Sequence, residues 1–225
     1  MAALQQATYS SSIFNVADTK SARHIILTDE EGLTSDARWA TETPYLVSLI
    51  ELTMPLKAGA VVLDYGCGIG RMAKALIDKF NCYVVGVDIS PNMRALAAAY
   101  VASDKFLVCA PEGLSALGVR CDAGLAIWVL QHCREPGEDL LKISGALKSQ
   151  APLFVLNEKY RCVPTREHGW VDDKQDIFAM LESWEFNKSH IDIPLDALRV
   201  GGRIAQQSVA RIYKRSLVLL PDGSA

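Results

Sequence analysis

No CxxC pair occurs among the six cysteines, Cys67, Cys82, Cys109, Cys121, Cys133 and Cys162. A structural zinc site or a redox dithiol needs that spacing, so neither is expected and no metal is assigned. Most of the cysteines sit in or beside apolar runs and read as small buried hydrophobes with reduced thiols. There is no basic surplus either: 23 Lys and Arg stand against 26 Asp and Glu, a formal net charge of −3. That balance disfavours a nucleic-acid partner held through its phosphates. No apolar run approaches the roughly 20 residues that cross a bilayer. The opening MAALQQATYSSSIFNVADTK lacks the basic and apolar regions of a secretory signal. A soluble cytoplasmic protein with no membrane role is therefore expected. Internal repeats and low-complexity tracts are also missing.

The 225 residues are 50% hydrophobic and 22% charged, enough to bury a large single core. Residues 1–37 show no sustained period and read as an N-terminal arm or lid. TPYLVSLIELTM predicts a helix capped by Thr43, with Pro44 in its first position. From Ala60 onward, apolar runs alternate with helical patterns. AVVLDY, YVVGVD, KFLVCA, CDAGLAIWVL and APLFVLNE predict strands. GRMAKALIDKF, SPNMRALAAAYVA, EPGEDLLKISGALKS and DDKQDIFAMLESW predict helices, and Ser90 and Pro91 mark a helix start. PEGLSAL predicts a short helix or turn. EFNKSHIDI and QQSVARIYKR predict two last strands. The linker PLDALRVGGRIA, broken at Gly201-Gly202, is too short for a crossover helix, so that pair should be antiparallel. Continuous Val/Ile/Leu strands separated by helices mean a parallel sheet covered on both faces. The fold class is thus α/β, a doubly wound Rossmann-like sheet in an α/β/α sandwich. One domain spans 38–215, followed by a tail at 216–225.

The densest signal is LDYGCGIGR, residues 63 to 71, with Gly66, Gly68 and Gly70 directly after a strand. Glycines there let a ligand meet backbone N–H groups at a helix start. A dinucleotide fingerprint wants its third glycine one position later, where Arg71 stands. Asp64 at the strand end would repel a pyrophosphate but favours a cationic group, as in S-adenosylmethionine. Asp88, about 20 residues on at the end of the second strand, is placed to accept both ribose hydroxyls.

Asp64 to Gly70, Asp88 and DAGLAIWVLQHCREP together resemble the class I S-adenosylmethionine-dependent methyltransferases, from roughly Arg38 to Arg215. The resemblance implies a seven-stranded sheet ending in an antiparallel hairpin, and S-adenosyl-L-methionine as cofactor. It places Asp64, Gly66, Gly68, Gly70, Arg71, Asp88, Ile89, Pro111, Glu112, Trp128 and Val129 around that cofactor. Arg71 either pairs with the cofactor carboxylate or is a surface helix arginine. Where the family carries an aspartate for adenine, this chain has Ala110, so contact there falls to Pro111 or Glu112. Arg38 and Trp39 lie where family members close over the cofactor or substrate; alternatively, Trp39 is a core anchor.

Trp128 and His132 follow the fourth strand, beside the transferable methyl. His132 is a candidate general base, or a helix-start histidine bonded to backbone. Glu158 is a second base or an orienting group. In REHGW, Glu167, His168 and Trp170 are of the mixed polar and aromatic kind that binds an acceptor. Catalytic candidates are therefore His132, Glu158 and Glu167; substrate candidates are Arg38, Trp39, Trp128, His168 and Trp170. WVLQ stands where an NPPY-type tetrapeptide would mark amino-group methylation of adenine or glutamine. The leading expectation is a methyltransferase for a small-molecule hydroxyl, amine or carboxyl. GCGIGR and WVLQH also resemble protein α-N-terminal methyltransferases, in which Trp128 and His132 fall on substrate positions and Glu167 falls near an acidic base. A catalytically silent methyltransferase-fold partner is the alternative of a different class, with a dehydrogenase further off.

Overall fold

The structure, a computed structural model, describes residues 7–30, 32–183, 186–193 and 207–215. The expected linker across Gly201-Gly202 and the tail at 216–225 lie outside the described residues. Strands β1 (Val61–Tyr65), β2 (Tyr83–Val87), β3 (Phe106–Cys109), β4 (Ala123–Ile127) and β5 (Pro152–Glu158) alternate with helices α3 (Arg71–Phe80), α4 (Pro91–Val101) and α5 (Pro136–Ala146). Strands β8 (Phe186–Ile193) and β9 (Ser208–Arg215) complete a seven-stranded sheet of order β3-β2-β1-β4-β5-β9-β8. The first five strands pair in parallel, and β9 runs antiparallel to both β5 and β8. This is the expected doubly wound sheet with its closing hairpin.

The apolar runs are continuous because both faces are buried, and side chains leave them alternately. Val62, Val84, Leu125, Phe154 and Leu156 pack with Leu46, Ile50, Met72 and Leu76 from α2 (Ser35–Thr53) and α3. Leu63, Val85, Val87, Leu153 and Val155 pack on the other face with Leu140 and Ile143 of α5 and Phe178 and Leu181 of α6 (Ile177–Ser183). The same alternation turns Asp64, two residues after Val62, toward α2 and α3. Ser90 caps α4 as expected, its hydroxyl accepting the Met93 N–H at 3.2 Å, a bond worth about 1 kcal/mol.

Two elements depart from the sequence reading. Helix α2 starts at Ser35, not at Thr43, and Thr34 caps it by accepting the Ala37 N–H at 3.2 Å. Pro44 lies inside the helix and withholds an N–H from Ala40, a defect that costs about 3 kcal/mol. Burial of Arg38, Trp39, Glu42, Leu46 and Ile50 outweighs it. The expected arm boundary at residue 37 therefore falls inside this helix. REHGW is not an open loop: β6 (Val163–Thr165) and β7 (Gly169–Val171) form a separate antiparallel hairpin around it. PEGLSAL forms two short 3-10 turns, Pro111–Gly113 and Ser115–Leu117.

The arm is ordered over its described residues. A 3-10 turn, Ser11–Phe14, leads to α1 (Thr19–Ile26), capped by Asp18 accepting the Ser21 N–H at 2.8 Å. Ala22 and Leu27 of the arm pack with Trp39, Ile69 and Met93. Among the described residues, no helix is long and apolar enough to cross a membrane.

Candidate functional site

The strand order reverses between β1 and β4, and parallel sheets bind ligands outside the carboxyl ends of the strands at such a switch. A cavity of about 700 Å³ opens there. It is lined by Asp64, Gly66, Gly68 and Arg71 after β1, Asp88 and Ile89 after β2, Pro111 and Glu112 after β3, Trp128, Val129 and His132 after β4, and Glu158 at the end of β5. Tyr9, Phe14 and Ile26 of the arm and Trp170 of β7 also line it.

The three glycines of the turn do different work. Gly66 has φ 77°, and a Cβ there would collide with Val129. Gly68 has φ 55°, and a Cβ there would stand 2.6 Å from Cδ1 of Ile26 on the arm. Gly70, at φ 81°, caps α3, and a Cβ would strike Val101 of α4. It packs α3 closely against α4 and is not among the residues that line the cavity. Asp88, expected to hold ribose hydroxyls, accepts the Gly68 N–H and the Ser90 N–H, each at 2.9 Å. Burial raises its pKa, and these two N–H groups act against that. Each oxygen keeps a second acceptor site.

Behind the turn lies a buried set of charges. Asp64 is 3% exposed and its Oδ2 has no partner; burial raises its pKa to about 7, against the pull of Arg71. Arg71 is 4% exposed with Nη1 unpartnered, and burial lowers its pKa to about 10. Of its two readings, the surface arginine is excluded. Its guanidinium stands 4.0 Å from the Glu42 carboxylate and over the rings of Trp39 and Trp128. Glu42 pairs with Nε of Arg38 at 2.6 Å, and Arg38 also donates to the Thr28 carbonyl. Glu42 escaped the sequence reading; its signal was the Arg38–Glu42 spacing of four on one helix face. Arg38 lines the cavity, but Trp39 does not. Trp39 is 7% exposed and lies beneath the guanidinium groups of Arg23 and Arg71.

Trp128 holds φ 50°, a left-handed backbone rare for a bulky residue. Its N–H bonds to the Leu156 carbonyl at 2.6 Å, and its indole N–H reaches the Ser208 hydroxyl at 3.3 Å. His132 stands on a 3-10 turn, Leu130–His132. Its Nδ1 donates to the Cys162 carbonyl at 2.7 Å, which leaves Nε2 as the acceptor, 3.4 Å from the Gln131 amide nitrogen. Burial lowers its pKa to about 4, so the ring is neutral at physiological pH. His132 thus bonds backbone and also lines the cavity. Glu158 accepts the Cys162 thiol at 3.3 Å.

Glu167 and His168 are placed elsewhere. Both are exposed on the β6–β7 turn and neither lines the cavity. Glu167 accepts the Thr8 N–H at 2.7 Å, a bond that lowers its pKa. Glu167 thus holds the arm, and the His168 N–H bonds to the Thr165 hydroxyl at 3.2 Å. A second residue missed in the sequence is Arg161, 2% exposed. It donates to the carbonyls of Leu130 and Cys133, on either side of His132, and pairs with Asp173 at 3.1 Å.

Residues 63–155 match the family model described as a methyltransferase domain. A tRNA U34 carboxymethyltransferase of Alcanivorax borkumensis is 37% identical over 122 residues, which cover 50% of this chain and 34% of that one. The chain spans less than half the length of the curated relatives it matches. Among solved structures, magnesium protoporphyrin IX methyltransferase of Synechocystis PCC 6803 with bound SAH superposes with a TM-score of 0.60 at 18% identity, over 91% of this chain and 97% of that one. The [4+2]-cyclase SpnF superposes equally, TM-score 0.60 at 17% identity, over 84% and 85%. The matched segment contains the glycine turn, and the chain shares the fold of these solved structures.

Proposed function

We propose that the protein transfers the methyl group of S-adenosylmethionine to the hydroxyl, amine or carboxyl of a small molecule. The observation that carries the cofactor is the pair of orphaned buried atoms of opposite sign, Asp64 Oδ2 and Arg71 Nη1, on one cavity wall. Unpaired buried polar groups are costly, and an α-ammonium and an α-carboxylate satisfy one each. Asp88 supplies acceptor sites for ribose hydroxyls, while Pro111, Glu112 and Val129 flank the base. Arg38 and Glu42 hold the Arg71 end in place. When bound, the sulfonium makes its methyl an electrophile that needs only an aligned nucleophile and the exclusion of water.

This chain contributes the alignment and the exclusion. Tyr9, Phe14 and Ile26 line the cavity from the arm, and His132 and Glu158 stand at the carboxyl ends of β4 and β5. His132, neutral with Nδ1–H fixed, presents Nε2 as the proton acceptor if the acceptor group must lose a proton. The small-acceptor reading is supported by the cavity, whose volume of about 700 Å³ is within the size range of small-ligand sites.

The test begins with calorimetric titration of S-adenosylmethionine, with NADH as the control. Methyl-labelled cofactor is then offered with a small-molecule extract, a set of peptides with free N-termini, and bulk tRNA. Label in the small-molecule fraction supports the reading. Label in tRNA, the substrate named for the bacterial relative, or in peptides would overturn the acceptor class. Tight binding without any transfer would favour a silent domain, since the fold also serves the [4+2]-cyclase.

A further inference from the structure

We propose that the acceptor end of the cavity is a cation site, and that the methyl acceptor is a small amine rather than an alcohol or a carboxylate. This rests on the methyltransferase reading and narrows its acceptor.

Three rings from three separate segments meet at that end: Phe14 of the arm, His132 after β4 and Trp170 of β7. Their centroids lie 5.7 Å (Phe14–His132), 6.1 Å (Phe14–Trp170) and 5.1 Å (His132–Trp170) apart, with ring planes mutually inclined by 49–56°. All three line the cavity. Rings at this spacing touch one another, and an ammonium group beside them is drawn to a ring face that borders the cavity. Trp170 is 47% exposed, although tryptophan is among the largest apolar side chains to leave uncovered.

The charges point the same way. Glu158 lines the same region, and its carboxylate has a thiol as donor but no ion-pair partner among the described residues. Each cation on the cavity wall has a carboxylate within 4.0 Å, and Arg71 is the one assigned to the cofactor. Arg71 stands beside Glu42, which also pairs with Arg38; Arg134 stands beside Glu135 and Lys142 beside Asp139. Arg161, next to the turn that carries His132, is tied to Asp173 and is not on the wall. His132 is held with its N–H toward the Cys162 carbonyl, so it offers a lone pair rather than a positive charge. Carboxylate acceptors would meet Glu158 with no cation to offset the repulsion, and a neutral alcohol would leave that carboxylate unpaired. An ammonium group satisfies the rings and the carboxylate together.

The test uses choline and its uncharged isostere 3,3-dimethyl-1-butanol, titrated against the full chain with and without S-adenosylhomocysteine. Binding is read by calorimetry and by tryptophan fluorescence. Choline should bind about tenfold or more tightly than the isostere, the discrimination expected of an aromatic and carboxylate cation site. Glu158→Gln and, separately, Trp170→Ala should each remove most of that discrimination while leaving homocysteine-product affinity within about twofold. Equal affinity for the two probes would overturn the proposal. So would failure of choline to bind at all, or discrimination that survives both substitutions. The arm without S-adenosylhomocysteine separates the two readings. Charge discrimination with no product binding would sink the cofactor assignment and leave the cation site standing.

Discussion

Replacing Asp88 by Ala tests whether its carboxylate serves the ligand, the fold or both. In the structure both oxygens are already in use, accepting the N–H groups of Gly68 and Ser90 at 2.9 Å. A hydrogen bond to a charged group is worth about 1.5–3 kcal/mol. The cavity beside Asp88 admits water, which can take over part of that role, so the lower figure applies to each bond, roughly 3 kcal/mol together. For a chain of this size, each kcal/mol moves Tm by about 2–4 °C, so the ligand-free variant should melt about 6–12 °C lower. Asp88→Asn keeps one acceptor oxygen but turns its NH₂ toward the other N–H, and should lose about half as much. Cofactor affinity should fall further, because two ribose hydroxyls lose their acceptor. Scanning calorimetry of the ligand-free protein and titration calorimetry with S-adenosylmethionine report the two effects separately. An unchanged Tm would show that the two backbone bonds contribute nothing. An unchanged affinity would remove Asp88 from the ribose.

The glycine turn should respond position by position. Gly66→Ala and Gly70→Ala should each destabilise the ligand-free protein by about 2–4 kcal/mol, from a left-handed backbone and a clash with Val129 or Val101. Gly68→Ala should instead push Ile26 aside and speed protease cleavage within residues 7–30; an unaltered cleavage pattern would refute that. Asp64, held up to about 7 against an unfolded value of 3.8, binds a proton in the folded state that the unfolded state releases. Its stabilising contribution is present below about pH 4 and is lost as pH rises through about 7. Asp64→Asn should flatten that slope in urea unfolding at pH 5 and pH 8. His132, depressed to about 4, shows the opposite sign: its contribution is present above about pH 6.5 and is lost as pH falls through about 4. Its ring should remain neutral by NMR down to about pH 5, and His132→Ala should lower kcat by about 10²–10⁴ with cofactor affinity intact; an imidazole midpoint near 6.5 would contradict this. Arg161→Lys cannot reproduce the fork on Leu130, Cys133 and Asp173. It should lower kcat without weakening the cofactor, and an equal loss in both would show that Arg161 acts through the whole fold.

What could be read from the sequence was what depends on neighbours in the chain. Strands buried on both faces leave unbroken apolar runs, so β1 to β5 were visible, as were the Ser90 cap and the turn after β1. The glycines stood out because their left-handed backbone angles are ones that other residues rarely adopt. What escaped depends on contacts between distant segments. Pro44 signals a helix start locally, but seven buried residues of α2 carry the helix across it. Strands β6 and β7 have three residues each, too few for a period to show. Their partner is the arm: Tyr9 bridges Thr165, the Ser10 N–H bonds to the Pro164 carbonyl, and the Arg166 N–H to the Thr8 carbonyl, each at 3.0 Å. That Glu167 holds the Thr8 N–H was not legible, because a polar and aromatic loop looks alike whatever it binds. Glu42 and Arg161 find their roles through ion pairs and carbonyl bonds that only the folded chain assembles.

The parallel sheet also separates what can be improved from what must be left alone. Every cavity contribution from β1, β2, β4 and β5 comes from the carboxyl rim or just beyond it. On the opposite rim, Asp122 accepts the Val61 N–H at 2.9 Å and pairs with Lys148, while Gly59 sits at φ 81° with open space where a Cβ would go. That rim is the place to engineer. Charge pairs, loop residues compatible with their backbone angles and shorter connections can be introduced there for thermostability with the chemistry a full strand length away. A randomised library confined to it should yield variants that differ in melting temperature and agree in turnover, which makes this side of the molecule a handle for immobilisation, fusion or labelling.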